Sequence, residues 1–570
     1  MASLEDTKDM RARIRALSAV LAVIGLVAPG PTFAQDPPTA TVSTPQARTT
    51  VPPGGTLNLS LDEAVQRALE NNAEIAVERY NPELSAQTVI SSEGYYDPYL
   101  FGNLSKTSTD TKGTNFFSGG DVVNNKTGLW NFGLGIPLQT GAQFSLAWNN
   151  NRRDTNNAFT TFNPVYNSNL NINLTQPLLK GFKVDGPRNQ LRLAKKSREI
   201  SDVQFRQTII NTVATVKGYY YELLFAIDNL AAAQTNLELA KRLLGENEIR
   251  VKVGTMAPLD VVTAQSEVAA RETNVILAEN ALAEAEDDLK RAIFPQNDPA
   301  MWSTRVVPTD RPTAEPMPVN IEAAVQNALQ NRTDVVAARK SLERADYNLQ
   351  YARNRLLPQL DLVGTYGGSG AGGTQLIRDE LGGPVVDTIP GGYGDALSEV
   401  FGRDFPTWTV GFNVSYAIPN RSAKANAASA QLSKEQTLAS FRRLELQVAA
   451  EVRTAGRGVE SGFKRVASTQ AARRLAAERL DAEEKKFAAG MSTNFLVTQA
   501  QRDLAEQQVN ELRAVADYRK SVINYQRVQE AGLSGSGLVA VLSGGSSGQA
   551  GQALAAGAAS ASTQSSSFGF

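Results

Sequence analysis

Residues 187–252 read PRNQLRLAKKSREISDVQFRQTIINTVATVKGYYYELLFAIDNLAAAQTNLELAKRLLGENEIRVK, with no proline after the first position. One apolar seam recurs every seventh residue: Ile209, Val216, Leu223, Leu230, Leu237, Leu244 and Val251. A companion seam runs Phe205, Thr212, Tyr219, Ala226, Ala233, Ala240 and Asn247. Seven-residue steps are coiled-coil spacing, which keeps one narrow face turned toward a partner along the whole length. At about 1.5 Å per residue such a helix reaches on the order of 100 Å, beyond any ordinary globular core. It must pack beside other long helices.

Gly254 ends the helix, Pro258 suits the first position of the next, and Asp260 places a negative charge near a helix N-terminus. A returning face follows at alternating steps of three and four: Val261, Ala264, Val268, Arg271, Val275, Ala278, Leu282, Ala285, Leu289 and Ala292. Together these predict a helical hairpin.

The same landmarks return later in the chain. Gly254 with Val261 and Ala264-Gln265 recurs as Gly490 with Val497 and Ala500-Gln501. That offset carries Phe205 onto Phe441, Val216 onto Val452, Leu223 onto Val459, Leu230 onto Val466, Leu244 onto Leu480 and Val251 onto Phe487; only Leu237, onto Arg473, loses its apolar character. Nearer the N-terminus, residues 64–71 (AVQRALEN) return as 324–331 (AVQNALQN). Two copies in the same order predict a duplicated domain, with repeats over 57–311 and 312–531. The first copy is longer between its landmarks, and a hairpin from Trp130 to Trp148 is the candidate for the excess.

Each copy opens with a helical pattern. Leu61, Ala64, Val65, Ala68, Leu69 and Ile75 form one apolar face, Ser60 and Glu63 suit a capping box, and Tyr95-Tyr96-Asp97-Pro98 ends the pattern. The period then changes to alternation. Trp130, Phe132, Leu134 and Ile136 oppose Asn131, Gly133 and Gly135; Phe144, Leu146 and Trp148 oppose Ser145 and Ala147; Leu170, Ile172 and Leu174 oppose Asn171, Asn173 and Thr175. In the second copy Trp408, Val410, Phe412, Val414, Tyr416 and Ile418 alternate with Thr409, Gly411, Asn413, Ser415 and Ala417, and Leu360 and Leu362 begin a partner strand. Such strands have one oily and one polar face, as in a transmembrane barrel or a soluble β-sandwich alike. The intervening stretches 110–127, 150–168 and the Gly-rich 367–405 read as solvated loops.

Composition narrows the function. A 42% hydrophobic, 20% charged chain is globular in balance, and a formal net charge of -1 with no long basic run beyond the N-terminal segment gives no field suited to a polyanion, so no nucleic-acid partner is expected. With no cysteine and no histidine, thiol nucleophiles, thiolate metal sites and imidazole bases are absent. No catalytic, cofactor-binding or metal-ligating residue is assigned, and an enzyme is not expected. At the start, Arg11, Arg13 and Arg15 precede an apolar run over 16–27, and Thr32-Phe33-Ala34 offers small residues for cleavage before Gln35. A signal peptide over 1–34 is expected; the alternative is a membrane anchor, for which the run is shorter than the roughly 20 residues a span needs. A Pro/Thr-rich linker over 35–56 and a disordered Gly/Ser/Ala tail over 532–570 complete the organisation.

Four to six strands per chain cannot close a membrane barrel, since the smallest bacterial barrels need about 8 and open edges are not tolerated in lipid. Copies of the chain must pool their strands. Here the chain resembles the TolC-like outer-membrane efflux proteins. The resemblance is carried by the two opening helices, by Leu174-Thr175-Gln176-Pro177-Leu178-Leu179, and by the paired phrases at 251–265 and 487–501. It implies a mainly α fold with membrane β: a homotrimer whose long helical hairpins form a periplasmic α-barrel joined to one twelve-stranded transmembrane β-barrel shared between protomers. It also implies a periplasmic adaptor (membrane fusion protein) and an inner-membrane pump of RND, ABC or MFS type as partners. The setting would be a Gram-negative outer membrane, crossed by substrates that are not transformed.

By the same resemblance, Gly254, Asp260, Gly490, Ser492, Asn494, Leu496 and Gln499 lie at the adaptor-docking and gating tip. Trp408, Val410, Phe412, Val414, Tyr416, Leu170, Ile172 and Leu174 would face lipid. Leu496 and Gln499 stand where the family's best-known pattern has an aspartate ring, and Ser492 where it has an arginine latch, so neither device is expected here. The rival reading is an exported structural or adhesive coiled-coil protein without a channel, which leaves the apolar strands and paired Gly turns unexplained. A substrate-specific porin does not fit so large a helical fraction.

Overall fold

A computed structural model describes residues 55–530, apart from 115, 116, 118–120, 296–300, 312, 313 and 381. The expected signal peptide, tail and most of the linker lie outside the described residues. The chain runs β1 (Thr56–Leu59), α1 (Leu61–Asn71), α2 (Ala73–Glu78), α3 (Tyr80–Glu93), β2 (Tyr99–Lys112), β3 (Val122–Pro137), β4 (Gln143–Thr155) and β5 (Phe162–Pro177). The long hairpin α4 (Gly186–Lys252) and α5 (Pro258–Ile293) comes next, followed by β6 (Arg305–Pro308), α6 (Ile321–Asn331) and α7 (Thr333–Asn354). Then β7 (Gln359–Arg378), β8 (Val385–Ile389), α8 (Tyr393–Gly402) and β9 (Pro406–Ser415) lead into α9 (Arg421–Ala488) and α10 (Asn494–Gln529).

The heptad reading matches α4 and its return α5, and the second hairpin α9–α10 has nearly the same dimensions, 68 and 36 residues against 67 and 36. Burial follows the predicted seam at Ile209, Val216 and Leu223, then moves to Asn236, Ala240, Leu243 and Asn247. An ideal helix drifts by about 20° per heptad, so one straight seam cannot stay buried over this length. Leu230, Leu237 and Leu244 are therefore only half-buried in a single chain.

Midway along the hairpins lies an apolar core, where Ala328 and Val335 meet Val448, Val452, Val459 and Tyr518. Beside it the short strands β1 and β6 pair in parallel. Fully buried Tyr220 fixes this pair: its hydroxyl donates to the Leu59 carbonyl at 3.1 Å and accepts from the Asp310 N–H at 3.2 Å. Tyr518 does the same in the other half, donating to the Glu315 carbonyl at 2.6 Å and accepting from Met317 at 3.2 Å.

Several local expectations need correction. The opening helix is broken at Asn72, whose side chain accepts from the N–H groups of Glu74 and Ile75 and so starts a new helix. Ser60 does cap α1, but the Glu63 carboxylate turns to Arg67 at 3.0 Å instead of closing a capping box. The supposed loops are largely strand: β2 and β3 extend into 110–127, β4 and β5 into 150–168, and β7 runs on to Arg378, with α8 beyond it.

Glycine explains the last error. A Cβ at Gly368 would lie 3.1 Å from the Val400 carbonyl oxygen, and Cβ atoms at Gly370 and Gly372 would run into Ala396, so this face of β7 is bare to let α8 lie directly on it.

Candidate functional site

The strands β2, β3, β4, β5, β7 and β9 follow one another across a single antiparallel sheet, with short β8 on the upper part of β7. Because cross-strand partners share a face, the register sorts the whole wall. Leu100, Leu134, Leu146, Ile172, Tyr366 and Trp408 form one row across all six strands. Below it Ile136, Phe144, Leu174, Gly364 and Val410 form the next. The expected lipid-facing residues therefore fall on one continuous apolar surface. Trp408, Val410, Phe412 and Val414 are exposed, Tyr416 just past β9 is 49% exposed, Ile172 and Leu174 are exposed, and Leu170 is half-buried. The reverse face carries Asn131, Ser145, Asn149, Asn171, Asn173, Thr365 and Thr409.

At its upper edge the apolar surface gives way to a polar cluster covered by α8. Ser168 donates to Asn150 Oδ1 at 2.7 Å and accepts from Trp148 Nε1 at 2.9 Å, while the Tyr393 hydroxyl from α8 donates to the same Asn150 oxygen at 2.7 Å. The Tyr393 ring also meets Trp130 edge-on at 5.4 Å. Neither α8 nor β2 was legible in the sequence.

At the opposite end of the molecule the two hairpin turns lie together. Each is a Schellman motif: Gly254 at φ +79° and Gly490 at φ +76° are followed by N–H groups of Thr255 and Met491 that reach back to Arg250 and Lys486 at 2.9 and 2.8 Å. Asp260 sits in the first turn of α5, and Asn494 opens α10 after the capping residue Thr493. Asn494 is buried and joins the two turns. Its Oδ1 accepts from Asn247 Nδ2 at 2.8 Å, and its own amide donates to the Asp260 carbonyl at 3.3 Å.

Arg250 adds a second bridge, donating to the Phe487 carbonyl at 3.2 Å with its guanidinium 4.1 Å from that ring. Sequence reasoning overlooked Asn247 and Arg250; a polar residue standing in the companion seam was the available signal for the first.

The remaining tip residues separate by role. Ser492 donates to Glu483 at 2.8 Å, and Gln499 donates to Asp503 at 2.7 Å. A hydrogen bond from Lys486, then that from Ser492, holds the Glu483 carboxyl below its ordinary range. Leu496 is exposed, as are Val253, Leu259, Met491 and Phe495 of the two turns, so the tip presents apolar side chains and Leu496 puts no acid there. Among the described residues no cluster of acidic side chains suits a metal ion, and no helix is long and apolar enough to cross a membrane.

The model of the outer membrane efflux protein family matches residues 138–293 and 324–527, more than half of the chain. Outer membrane protein TolC of Escherichia coli (strain K12) is 31% identical over 205 residues, 34% of this chain and 40% of that protein. TolC of Vibrio cholerae is 29% identical over 176 residues, 31% of this chain and 39% of that protein. The matched segments thus span about two-fifths of these relatives. Among solved structures, the Campylobacter jejuni CmeC outer membrane channel superposes at TM-score 0.59 with 16% identity, covering 82% of this chain and 85% of that one. The open-state Neisseria gonorrhoeae MtrE outer membrane channel does so at 0.56 with 17% identity, covering 83% and 89%. The structural matches agree in fold, and the names of the relatives place the chain in the outer membrane. By sequence and by fold, this chain belongs to the outer membrane efflux protein family.

Proposed function

We propose that three copies of this chain close into one duct, the outer-membrane exit channel of a tripartite efflux or type I secretion system. A periplasmic adaptor would grip the tip around Gly254, Asp260, Gly490, Ser492, Asn494, Leu496 and Gln499, and an inner-membrane pump would feed the duct. Substrate passes through without chemical change. The two similar repeats, 57–311 and 312–531, would then supply near-equivalent hairpins around the axis.

The observation that carries this reading is the alignment of unpaired edges. The sheet ends at β2 on one side and β9 on the other, and the six strands alternate in direction, so β9 of one copy meets β2 of the next antiparallel. The helices follow the same order, α3–α4–α7–α9 near the sheet and α9–α10–α4–α5 toward the tip. One side of the chain is therefore β2, α3 and α5, and the other is β9 and α9. Both sides expose apolar residues: Leu84, Ile90, Ile276 and Leu277 on the first, Leu432, Leu446 and Leu475 on the second. A membrane sheet cannot leave its edges open, and a second copy of the chain satisfies both at once. An adhesive coiled coil would leave them unexplained.

Because the chain contains no cysteine, the closure is testable by paired substitutions on the two edges. Asn103→Cys on β2 combined with Thr409→Cys, Gly411→Cys or Asn413→Cys on β9 should yield disulfide-linked trimers in one register. Monomers under every pairing would refute shared closure.

A further inference from the structure

The family resemblance implies a barrel of twelve strands from three chains, which requires four strands per chain. This chain brings six long ones. We infer that the hairpin β3–β4 enlarges the membrane pore to eighteen strands, making it as broad as the helical tube below, so that it admits solutes a twelve-stranded pore would stop. This rests on the trimeric duct proposed above.

The hairpin is a full member of the wall. It lies between β2 and β5, paired with β2 from Tyr99 to Lys112 and with β5 from Gln143 to Arg153. Its outer face, Trp130, Phe132, Leu134 and Ile136 with Phe144, Leu146 and Trp148, continues the apolar belt of the neighbouring strands. Its inner face continues their polar lining through Asn131, Ser145 and Asn149. A surface flap would need neither. The turn below it is also anchored to the helices: Arg188, near the start of α4, donates to the Thr140 carbonyl at 3.2 Å and to those of Gly181 and Phe182 at 2.8 and 2.6 Å.

Circumference explains why two extra strands fit. Near the sheet each chain presents α3, α4, α7 and α9 side by side, so three chains make a ring of twelve helices. At interaxial spacings of 8–10 Å that ring measures about 110 Å around. Eighteen strands about 4.8 Å apart and tilted by about 40° also measure about 110 Å, whereas twelve measure about 75 Å. The inserted hairpin thus removes a step between tube and barrel. The inner face of the widened wall is mostly Asn, Ser and Thr, with Tyr99, Phe101 and Leu129 and the charged Arg153 and Asp361 among them, which suits bulky polar solutes of either charge.

The experiment places a single cysteine, Asn169→Cys, on the inner face of β5 and labels it with maleimide-polyethylene glycols of graded size. Purified full-length trimer is compared with a variant lacking residues 122–155, whose β2 and β5 remain antiparallel neighbours. The largest polymer admitted by the variant should have no more than about two-thirds the radius of that admitted by the parent, because the barrel radius falls in proportion to strand number and inward side chains take the same depth from both. Equal limits in two intact trimers would overturn the proposal. Should the variant fail to assemble, strands are counted directly by electron cryo-microscopy of the parent, where eighteen supports the inference and twelve overturns it. A parent that forms no trimer removes the duct itself, and the width with it.

Discussion

The two helical hairpins share their length and their glycine turns, yet they are held by different forces. In the second hairpin three ion pairs join its own two helices: Arg465–Asp517 and Arg479–Asp503, at 3.0 and 2.7 Å, and Arg473–Glu511. The first has one such pair, Lys241–Glu272, and instead reaches outward. Glu267 on α5, only 5% exposed, lies between Arg271 at 2.8 Å and Arg502 of the other hairpin at 2.6 Å. Glu222 on α4 likewise binds Arg513 and Lys520 of α10. The lesson is a division of labour: the second hairpin is tied to itself, and the first depends on the second for its charges.

That contrast can be broken most strongly at Glu267. Replacing it with alanine leaves Arg271, whose side chain is only 12% exposed, without its partner and should cost about 3 kcal/mol. Asp503, which stands at the same place in the second hairpin, makes an exposed pair, and Asp503→Ala should cost less than about 1 kcal/mol. Denaturant unfolding in detergent reads both; equal losses would erase the distinction. Next in size is the bridge between the turns. Asn494→Ala removes the acceptor of buried Asn247 and should cost about 1–2 kcal/mol, while Asn247→Leu combined with Asn494→Leu should recover most of it. Protease accessibility of the tip, compared among the three proteins, checks the order.

Smaller effects probe where the hairpins are alike. Gly254→Ala and Gly490→Ala should each cost about 1 kcal/mol and by similar amounts, because both glycines have positive φ with open space around them, leaving backbone strain as the only penalty. A thermal melt that separates the two would show that one turn carries more than its geometry. Smallest of all is the pH response at Glu483. Its folded pKa is depressed, so its contribution is present above the unfolded value and is lost as pH falls through the folded one. Acidification should loosen the second turn before the first in hydrogen exchange, and Ser492→Ala should reduce that difference.

The helices were legible in the sequence because their signal is local and repeated: heptads over α4, glycines at 254 and 490, proline at 258. The sheet was half-legible. Oily positions on β3, β4, β5 and β9 alternate strongly, but β2 opens on the unbroken run Tyr99-Leu100-Phe101 and adds only Leu104 before a Ser/Thr/Lys run, so its identity depends on pairing with β3. Glycines at 368, 370 and 372 read as loop because the helix that requires them lies about twenty-five residues downstream. At the tip, the sequence located Gly254, Asp260, Gly490 and Asn494, whereas the partnership of Asn247 and Arg250 with the other turn became visible only once two distant hairpins were brought together.

In the proposed duct, β9 and α9 of one copy close against β2, α3 and α5 of the next around a single channel. Electron cryo-microscopy of the full-length protein extracted from its membrane tests this most directly. The expected result is a threefold particle with one continuous barrel and tube, β2 beside β9 at every boundary. Separate monomers, or an oligomer without a passage through its centre, would contradict it.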